Sequence, residues 1–578
     1  MRKNSRRDPP RSWREEIAVS VVSLLASVAG LPNQFAFDDV LLVQQNARVH
    51  DLDHIREILT RPYWPPPFNP ELYRPIASFV VAIQYVIGNG APVFFRVSSY
   101  VLYAAVALGV LALGRRLLGM RGGLIAALLF AAHPVHVESV ALAVNQGELI
   151  VALLTLLLLT HYLDIRAAGN PDRADWAAFA ALYVTAALTK EHAFVLPALL
   201  MAAEWLLVAP DLPLAPRVRR LWPGFAALSL AGLAALILRT VVLAGNVSGT
   251  FTAEALQGVG IRGRALTMLG VVPVWLRLLA WPKHLQVDYS PGEIVTATRF
   301  GLRQVAGSLV IVSAGASLLW FRRRAAVVTF GIAWLVITLL PVSNVLVPTG
   351  IVVAERTLFL PSFGFLLSVV ALARWVVRSV PVPTVPLRRL GYGCVGLLVV
   401  LGVLRSAERH TVWRNDYQLW MTSTQDAPRS FRVSHAVGDL LFVNGQTQEA
   451  IRIYDRAIEE SVAPWKIRED FARRLHEVGN DTAAVVQLRL SLAEEPDQPV
   501  ALIELATDLI GEGDYAGARS VVNRAIERGD DAPVLAQLGH VADSAATHHL
   551  PPGSVHLTLR LDIGNALSGG AGTQPPPP

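Results

Sequence analysis

The 578-residue sequence predicts an all-α protein in two parts: a polytopic bundle of about eleven membrane helices, then a C-terminal solenoid of helical repeats. Three observations carry this. Hydrophobic residues make up 53% and charged residues 17% of the chain, and its mean hydropathy is +0.43, as in a membrane protein rather than a large soluble one. Arginine clusters recur between apolar stretches in a pattern that one topology satisfies. Beyond about Phe431, three small or apolar positions recur every 34 residues.

A membrane helix needs about 20 apolar residues. The stretches 17–36, 93–114, 121–133, 147–165, 176–190, 192–209, 222–244, 303–321, 325–346, 357–378 and 391–407 qualify as spans. Arg115-Arg116 with Arg121, Arg217/Arg219/Arg220, Arg322-Arg323-Arg324 and Arg374/Arg378/Arg388/Arg389 belong on the cytoplasmic side by the positive-inside rule. Eleven spans with the basic start Met1–Arg7 inside put every cluster there, and put the C-terminal region outside. Counting Pro75–Gly88 or Thr267–Trp281 as spans would break this agreement, so both are expected as interfacial or re-entrant helices on the outer face. The stretch 121–133 is short and is expected to continue to about Ala143, kinked at His133-Pro134.

The resulting layout is a cytoplasmic basic tail 1–16, a membrane domain 17–410 with outer loops 37–92 and 245–302, repeats over 411–550, and a tail 551–578. The first apolar segment lacks a nearby small-residue cleavage site and reads as an uncleaved helix. The net charge of +6 sits mostly in basic loops and marks topology, so no nucleic-acid partner is expected. One cysteine, Cys394, allows neither an intrachain disulfide nor a cysteine-based zinc site.

The repeat is read from Gly445, Gly479 and Gly513, from Ala450, Ala484 and Ala518, and from Leu441, Leu475 and Leu509. A 34-residue period with Gly at the turn and Ala at close helix contacts is the tetratricopeptide (TPR) pattern, supported by Tyr454, Ala457, Ala525 and Pro496. A worn fourth unit is expected from about Ala532 to His548, and a disordered Gly/Pro-rich end from Ser568. Such arrays present a concave surface for a peptide or a neighbour.

Chemistry gathers at predicted outer helix ends: Phe37-Asp38-Asp39, Leu72-Tyr73-Arg74-Pro75, His133 to Glu138, Thr189-Lys190-Glu191-His192 and Ala354-Glu355-Arg356-Thr357-Leu358. Ionisable residues beside a membrane span are functional candidates by default. A carboxylate can deprotonate an acceptor hydroxyl, and cations can hold a phosphate leaving group. Asp39 is slightly preferred over Asp38 as the base; the other is expected to orient a main-chain group or to pair with Arg74 or Lys190. Each cluster also has a plainer reading. Glu355-Arg356 and Lys190-Glu191 make structural ion pairs as readily as phosphate contacts, and Arg74 suits an interfacial anchor. His133 and His136 with Glu138 have poor ligand spacing across Pro134, so no metal site and no cofactor is expected. Tyr63, Trp64, Phe68 and Tyr73 could stack on a sugar or peptide. No P-loop occurs, and the two GxGxxG strings, Gly258–Gly263 and Gly391–Gly396, lack the preceding strand that a dinucleotide site needs, so no bound nucleotide is expected.

Taken in order, FDD, YRP, HPVHVESV, KEHAFVLP, LPVSN and ERTLFLPSFG resemble the TPR-containing protein O-mannosyltransferases, over roughly residues 30–530. That resemblance implies a membrane glycosyltransferase of the GT-C superfold using a polyprenyl- or dolichyl-phosphate sugar. It implies a base at Asp38 or Asp39, a second acidic residue at Glu138, and phosphate ligands at Arg356, Lys190 and Arg74, supported by His133, His136, Glu191 and Glu355. Two departures touch the choice of sugar or acceptor: Asn145-Gln146-Gly147-Glu148 lacks the family's usual arginine, and His192 stands where a small residue is usual. The expected reaction moves a mannose-like sugar to a hydroxyl, Ser/Thr of a protein, on the outer or periplasmic face of a bacterial inner membrane, with inversion. The acceptor, protein or glycan, is expected to dock on the TPR array. The alternative is an O-antigen-ligase-like or polymerase-type transfer of glycan from undecaprenyl diphosphate, relying on outer-loop residues such as Arg262 and Arg264. A transporter or a membrane-anchored TPR scaffold fits less well: few charges lie within the spans, and an anchor needs far fewer helices.

Overall fold

The structure, a computed structural model, describes residues 13–65, 72–208, 213–244, 252–289, 292–379, 385–527 and 533–551. The basic start, Phe68 and the C-terminal tail lie outside them. The chain divides into two compact units, with the boundary after Asp426.

The first unit opens with α1 (Arg14–Ser27), the short α2 (Ile55–Thr60) and α3 (Pro75–Gly88), and then α4 (Pro92–Ala131). A short α5 (Val137–Ala141) precedes α6 (Gln146–Ala168), α7 (Arg173–Thr189), α8 (Leu196–Leu206) and α9 (Leu214–Val242). It closes with α10 (Ile261–Ala280), α11 (Leu302–Phe321), α12 (Ala326–Leu339), α13 (Phe359–Ser379), α14 (Val385–Val412) and α15 (Asp416–Asp426). Among the described residues, seven helical stretches are long and apolar enough to cross a bilayer: Pro92–Ala131, Ala143–Ala168, Leu214–Val242, Ile261–Ala280, Leu302–Phe321, Glu355–Ser379 and Arg388–Val412. This is an integral membrane protein.

Prolines and glycines set the helix ends. Pro75 and Pro92 each occupy a first turn, where the missing N–H costs nothing. Inside α4, Gly119 takes φ 73° and ψ 171°, a backbone open to glycine and strained for other residues. There the chain doubles back, so closely that a Cβ on Gly114 would sit 3.0 Å from Gly123 Cα. The stretches read separately as 93–114 and 121–133 are therefore the two arms of a hairpin. The arms are cemented where the Tyr103 hydroxyl donates toward the Phe130 and Ala131 carbonyls at 3.0 and 3.1 Å. An apolar core of Phe130, Tyr162, Phe179, Trp334, Phe359 and Phe363 fills the bundle.

The stretch expected over Thr267–Trp281 is longer than read, because α10 starts at Ile261 and runs through Pro273. Length alone would let it span. Its contacts run along its length: Arg264 reaches the Val345 carbonyl at 3.2 Å, Gln304 in the first turn of α11 reaches the Leu266 carbonyl at 3.4 Å, and the Leu279 carbonyl meets His133 at 2.9 Å. By length and composition α10 is among the stretches able to cross a bilayer, where an interfacial or re-entrant helix was expected.

The second unit stacks α16 (Phe431–Val443), α17 (Thr447–Glu460), α18 (Pro464–Glu477), α19 (Asp481–Glu494), α20 (Pro499–Gly511), α21 (Tyr515–Glu527) and α22 (Pro533–Thr547). Gly445, Gly479 and Gly513 close the first helix of each pair at φ 75°, 76° and 83°, the left-handed turn that favours glycine. Each turn repeats one hydrogen bond: Gln446, Asn480 and Asp514 donate their N–H to the carbonyls of Leu441, Leu475 and Leu509 at 2.8, 2.9 and 2.8 Å. Ala450, Ala484 and Ala518 are fully buried. This is a TPR solenoid. The region expected as a worn fourth unit is a single helix, α22.

Candidate active site

The site gathers at helix ends on one face of the first unit: after α1, before α3, around α5, at the start of α6, between α7 and α8, at the end of α9 and before α13. Alternating helix direction brings these ends together, though they are far apart in sequence.

Asp39 is fully buried. It accepts the main-chain N–H groups of Ala143 and Val144 at 2.9 and 3.0 Å and faces the guanidinium of Arg96 at 3.3 Å. Arg96, itself buried, also donates to the carbonyls of Ala141 and of Gln34, the latter at 2.6 Å. The carboxylate thus ties residues 34–39 to residues 141–144 and has no face left for a substrate. The contacts of Asp39, slightly preferred as the base, are thus to main-chain groups and to Arg96 rather than to Arg74 or Lys190.

Asp38 is different. It is half-buried, has no hydrogen bond or ion pair to another described residue, and lies within electrostatic reach of Arg356, Asp39, Glu138 and Lys190. Burial pushes its carboxyl above the ordinary aspartate value; Arg356 opposes the rise, and Asp39 and Glu138 add to it. The preceding residue, Phe37, holds φ at 55°, a conformation uncommon for a bulky side chain and often found where function demands it.

The cations each have a carboxylate partner. Glu138, buried, accepts the side chain of Arg356 and also its main-chain N–H at 2.8 Å. Lys190 meets Glu148 at 2.8 Å, and His192 approaches the other oxygen of Glu148 at 3.3 Å. Arg74 grips Glu191 with contacts of 2.7–3.2 Å, and Arg239 meets the same carboxylate at 2.9 Å. Against the cost of burial, these two arginines hold the Glu191 carboxyl down at about 2. Arg74 also lies 5.2 Å over the Tyr63 ring.

The supporting residues sit behind this layer. His133 contacts the Leu279 carbonyl, while His136 bridges the Tyr103 hydroxyl at 3.0 Å and the Ser362 hydroxyl at 2.8 Å. Glu355 is buried, accepting from the Gln286 N–H at 2.5 Å and the Tyr289 hydroxyl at 3.0 Å, with Arg409 at 3.9 Å. These three hold the frame rather than face the cleft. Among the described residues, no three His, Cys, Asp or Glu side chains are placed to share a metal.

Sequence reasoning missed Arg96, Arg239 and Arg409. Arg96 and Arg239 did leave a signal, a lone cation in an otherwise apolar run, which by default marks a paired or functional residue.

No family model matches the chain. It is 25% identical over 455 residues to the mouse protein O-mannosyl-transferase TMTC3, covering 73% of this chain and 48% of that protein. It is 26% identical over 504 residues to mouse protein O-mannosyl-transferase TMTC4, covering 77% of this chain and 66% of that one. With the Drosophila protein O-mannosyl-transferase Tmtc3 the identity is 22% over 523 residues, 79% and 56% of the two chains. Its relatives are TPR-containing protein O-mannosyltransferases. The chain spans about half to two thirds of their length.

Proposed function

We propose that this chain is an inverting membrane glycosyltransferase that moves a mannose-like monosaccharide from a polyprenyl-phosphate carrier to a Ser/Thr hydroxyl of a protein. The observation that carries the reading is one unpaired carboxylate, Asp38, within electrostatic reach of two cations, Arg356 and Lys190. Asp38 takes the proton from the acceptor hydroxyl as its oxygen attacks the anomeric carbon. The bond from that carbon to the carrier phosphate breaks on the opposite side, and the phosphate leaves with a negative charge that Arg356 and Lys190 receive. Displacement in one step inverts the centre. The relatives' names support a sugar transferred to protein.

The test is transfer by the purified full-length protein from polyprenyl-phosphate mannose to Ser/Thr peptides, read by mass spectrometry. A hexose on peptide is the expected result. Transfer from an undecaprenyl-diphosphate glycan, with none from the monophosphate, would overturn the proposal in favour of a ligase. The same assay without residues 431–578 tests docking: donor use should persist while modification of a folded acceptor falls.

The site face is proposed to be the non-cytoplasmic one, from the arginine distribution. The relatives compared are animal proteins, so a bacterial inner membrane has no support from them. A topology reporter fused after Asn480 should be active only in the outer or luminal compartment; a cytoplasmic signal would invert the topology.

A further inference from the structure

We infer that Asp416, at the start of α15, is a positioning residue that sets the candidate base by latching the residue before it; this rests on the reading of Asp38 as base. The loop 33–39 is sewn to the segment 410–416 by three hydrogen bonds. The Asn33 side-chain amide donates to the His410 carbonyl at 2.8 Å, the Gln34 N–H donates to the Arg414 carbonyl at 2.8 Å, and the Phe37 N–H donates to Asp416 Oδ1 at 2.6 Å. The last falls on the residue whose φ is +55°. A non-glycine backbone in that region persists only when its surroundings hold it there.

The ring of Phe37 is held from the same direction. It lies 6.3 Å from Trp413, edge to face, and 5.6 Å from Trp420. Trp413 is buried in the apolar cluster that also takes in Phe35, Ala36 and Val144. The Asp416 carboxylate is not occupied in capping its own helix, since Asn415 accepts the Gln418 N–H at 2.9 Å. Asp39, on the far side of Asp38, is anchored by Arg96 and the N–H groups of Ala143 and Val144. Asp38 is therefore clamped at both neighbours while its own side chain stays unpaired. A carboxylate that must meet a hydroxyl within hydrogen-bond reach gains from such a clamp, because small misplacements are costly in rate.

The experiment compares Asp416→Ala with Asp416→Asn, which keeps an acceptor oxygen. Asp416→Ala should lower kcat about 10–100-fold with the donor KM within about twofold, and Asp416→Asn should recover most of the rate. Hydrogen exchange at the Phe37 and Asp38 amides should accelerate in Asp416→Ala and not in Asp416→Asn. In an Asp38→Asn background, Asp416→Ala should cause no further loss, the non-additivity expected of a residue acting through another. Unchanged exchange in Asp416→Ala, or equal losses in the Ala and Asn variants, overturns the latch. Accelerated exchange with an active Asp38→Asn protein leaves the latch standing and removes the base reading instead.

Discussion

Asp38→Asn should reduce sugar transfer about 10²–10⁴-fold while leaving donor binding intact, because a hydroxyl near neutral pH is a poor nucleophile without a positioned base. The charge is removed with little change of shape. Burial holds the ionised Asp38 above its ordinary pKa, so stability linked to this group is present below its unfolded pKa and lost as pH rises through the folded one. Asn, always neutral, should therefore leave the empty protein at least as stable at neutral pH. In the wild type, the acid limb of the rate profile should sit at higher pH than an ordinary aspartate gives, with activity rising as Asp38 deprotonates. Asp39→Asn should behave in the opposite way. It weakens a buried pair with Arg96 and two N–H contacts, and breaking such a pair costs about 3–5 kcal/mol. Loss of folded protein in Asp39→Asn with inactive but stable Asp38→Asn is the expected pattern. Near wild-type turnover in Asp38→Asn would end the catalytic reading of this residue.

Arg356 should give the second-largest effect. Arg356→Ala removes the candidate phosphate ligand and strands the buried Glu138, so activity and folding should fall together, the latter again by about 3–5 kcal/mol. Arg356→Lys separates the two. It keeps the charge that Glu138 needs but loses the planar fork, and should raise the donor KM by about tenfold for the loss of one charge-assisted contact, with melting near wild type. A donor KM unchanged in Arg356→Lys would assign Arg356 to the frame, leaving Lys190 as the cation for the leaving group.

How much of this was legible in the sequence depends on the range of the interaction. The TPR turns are local: glycine is needed where φ is positive, and the same glycine recurs at 445, 479 and 513. Gathering of polar clusters on one face followed from alternating helix direction, because each cluster sits at a helix end. The roles within the face did not follow. Asp38 and Asp39 are adjacent and chemically alike, and only burial against Arg96 and residues 141–144 separates them. Glu138 looked like a spare acid, with no sign of its contact with the Arg356 main chain. Arg239 was missed because its pairing with Glu191, 48 residues away in sequence, is invisible to spacing rules. The start of α10 was underread because Arg262 and Arg264 interrupt the apolar pattern there, whereas the helix runs through both.

The pairing of every cleft cation has a consequence for how a donor is recruited. Arg74, Arg96, Lys190, Arg239 and Arg356 all lie against the carboxylates of Asp39, Glu138, Glu148 and Glu191, and Asp38 adds an unpaired acidic group within electrostatic reach of Arg356 and Lys190. Seen from beyond a Debye length, about 8–10 Å in physiological salt, these opposite charges largely cancel, and the group casts little attractive field toward an anion in solution. Soluble phosphates and nucleotides gain no long-range steering toward it. A carrier already confined to the bilayer needs none, since it diffuses in two dimensions to the helix ends and meets the guanidinium and ammonium groups only at contact. Under the proposed function, charge balance thus acts as a filter for delivery route, favouring a carrier phosphate that arrives through the membrane over one that arrives through water.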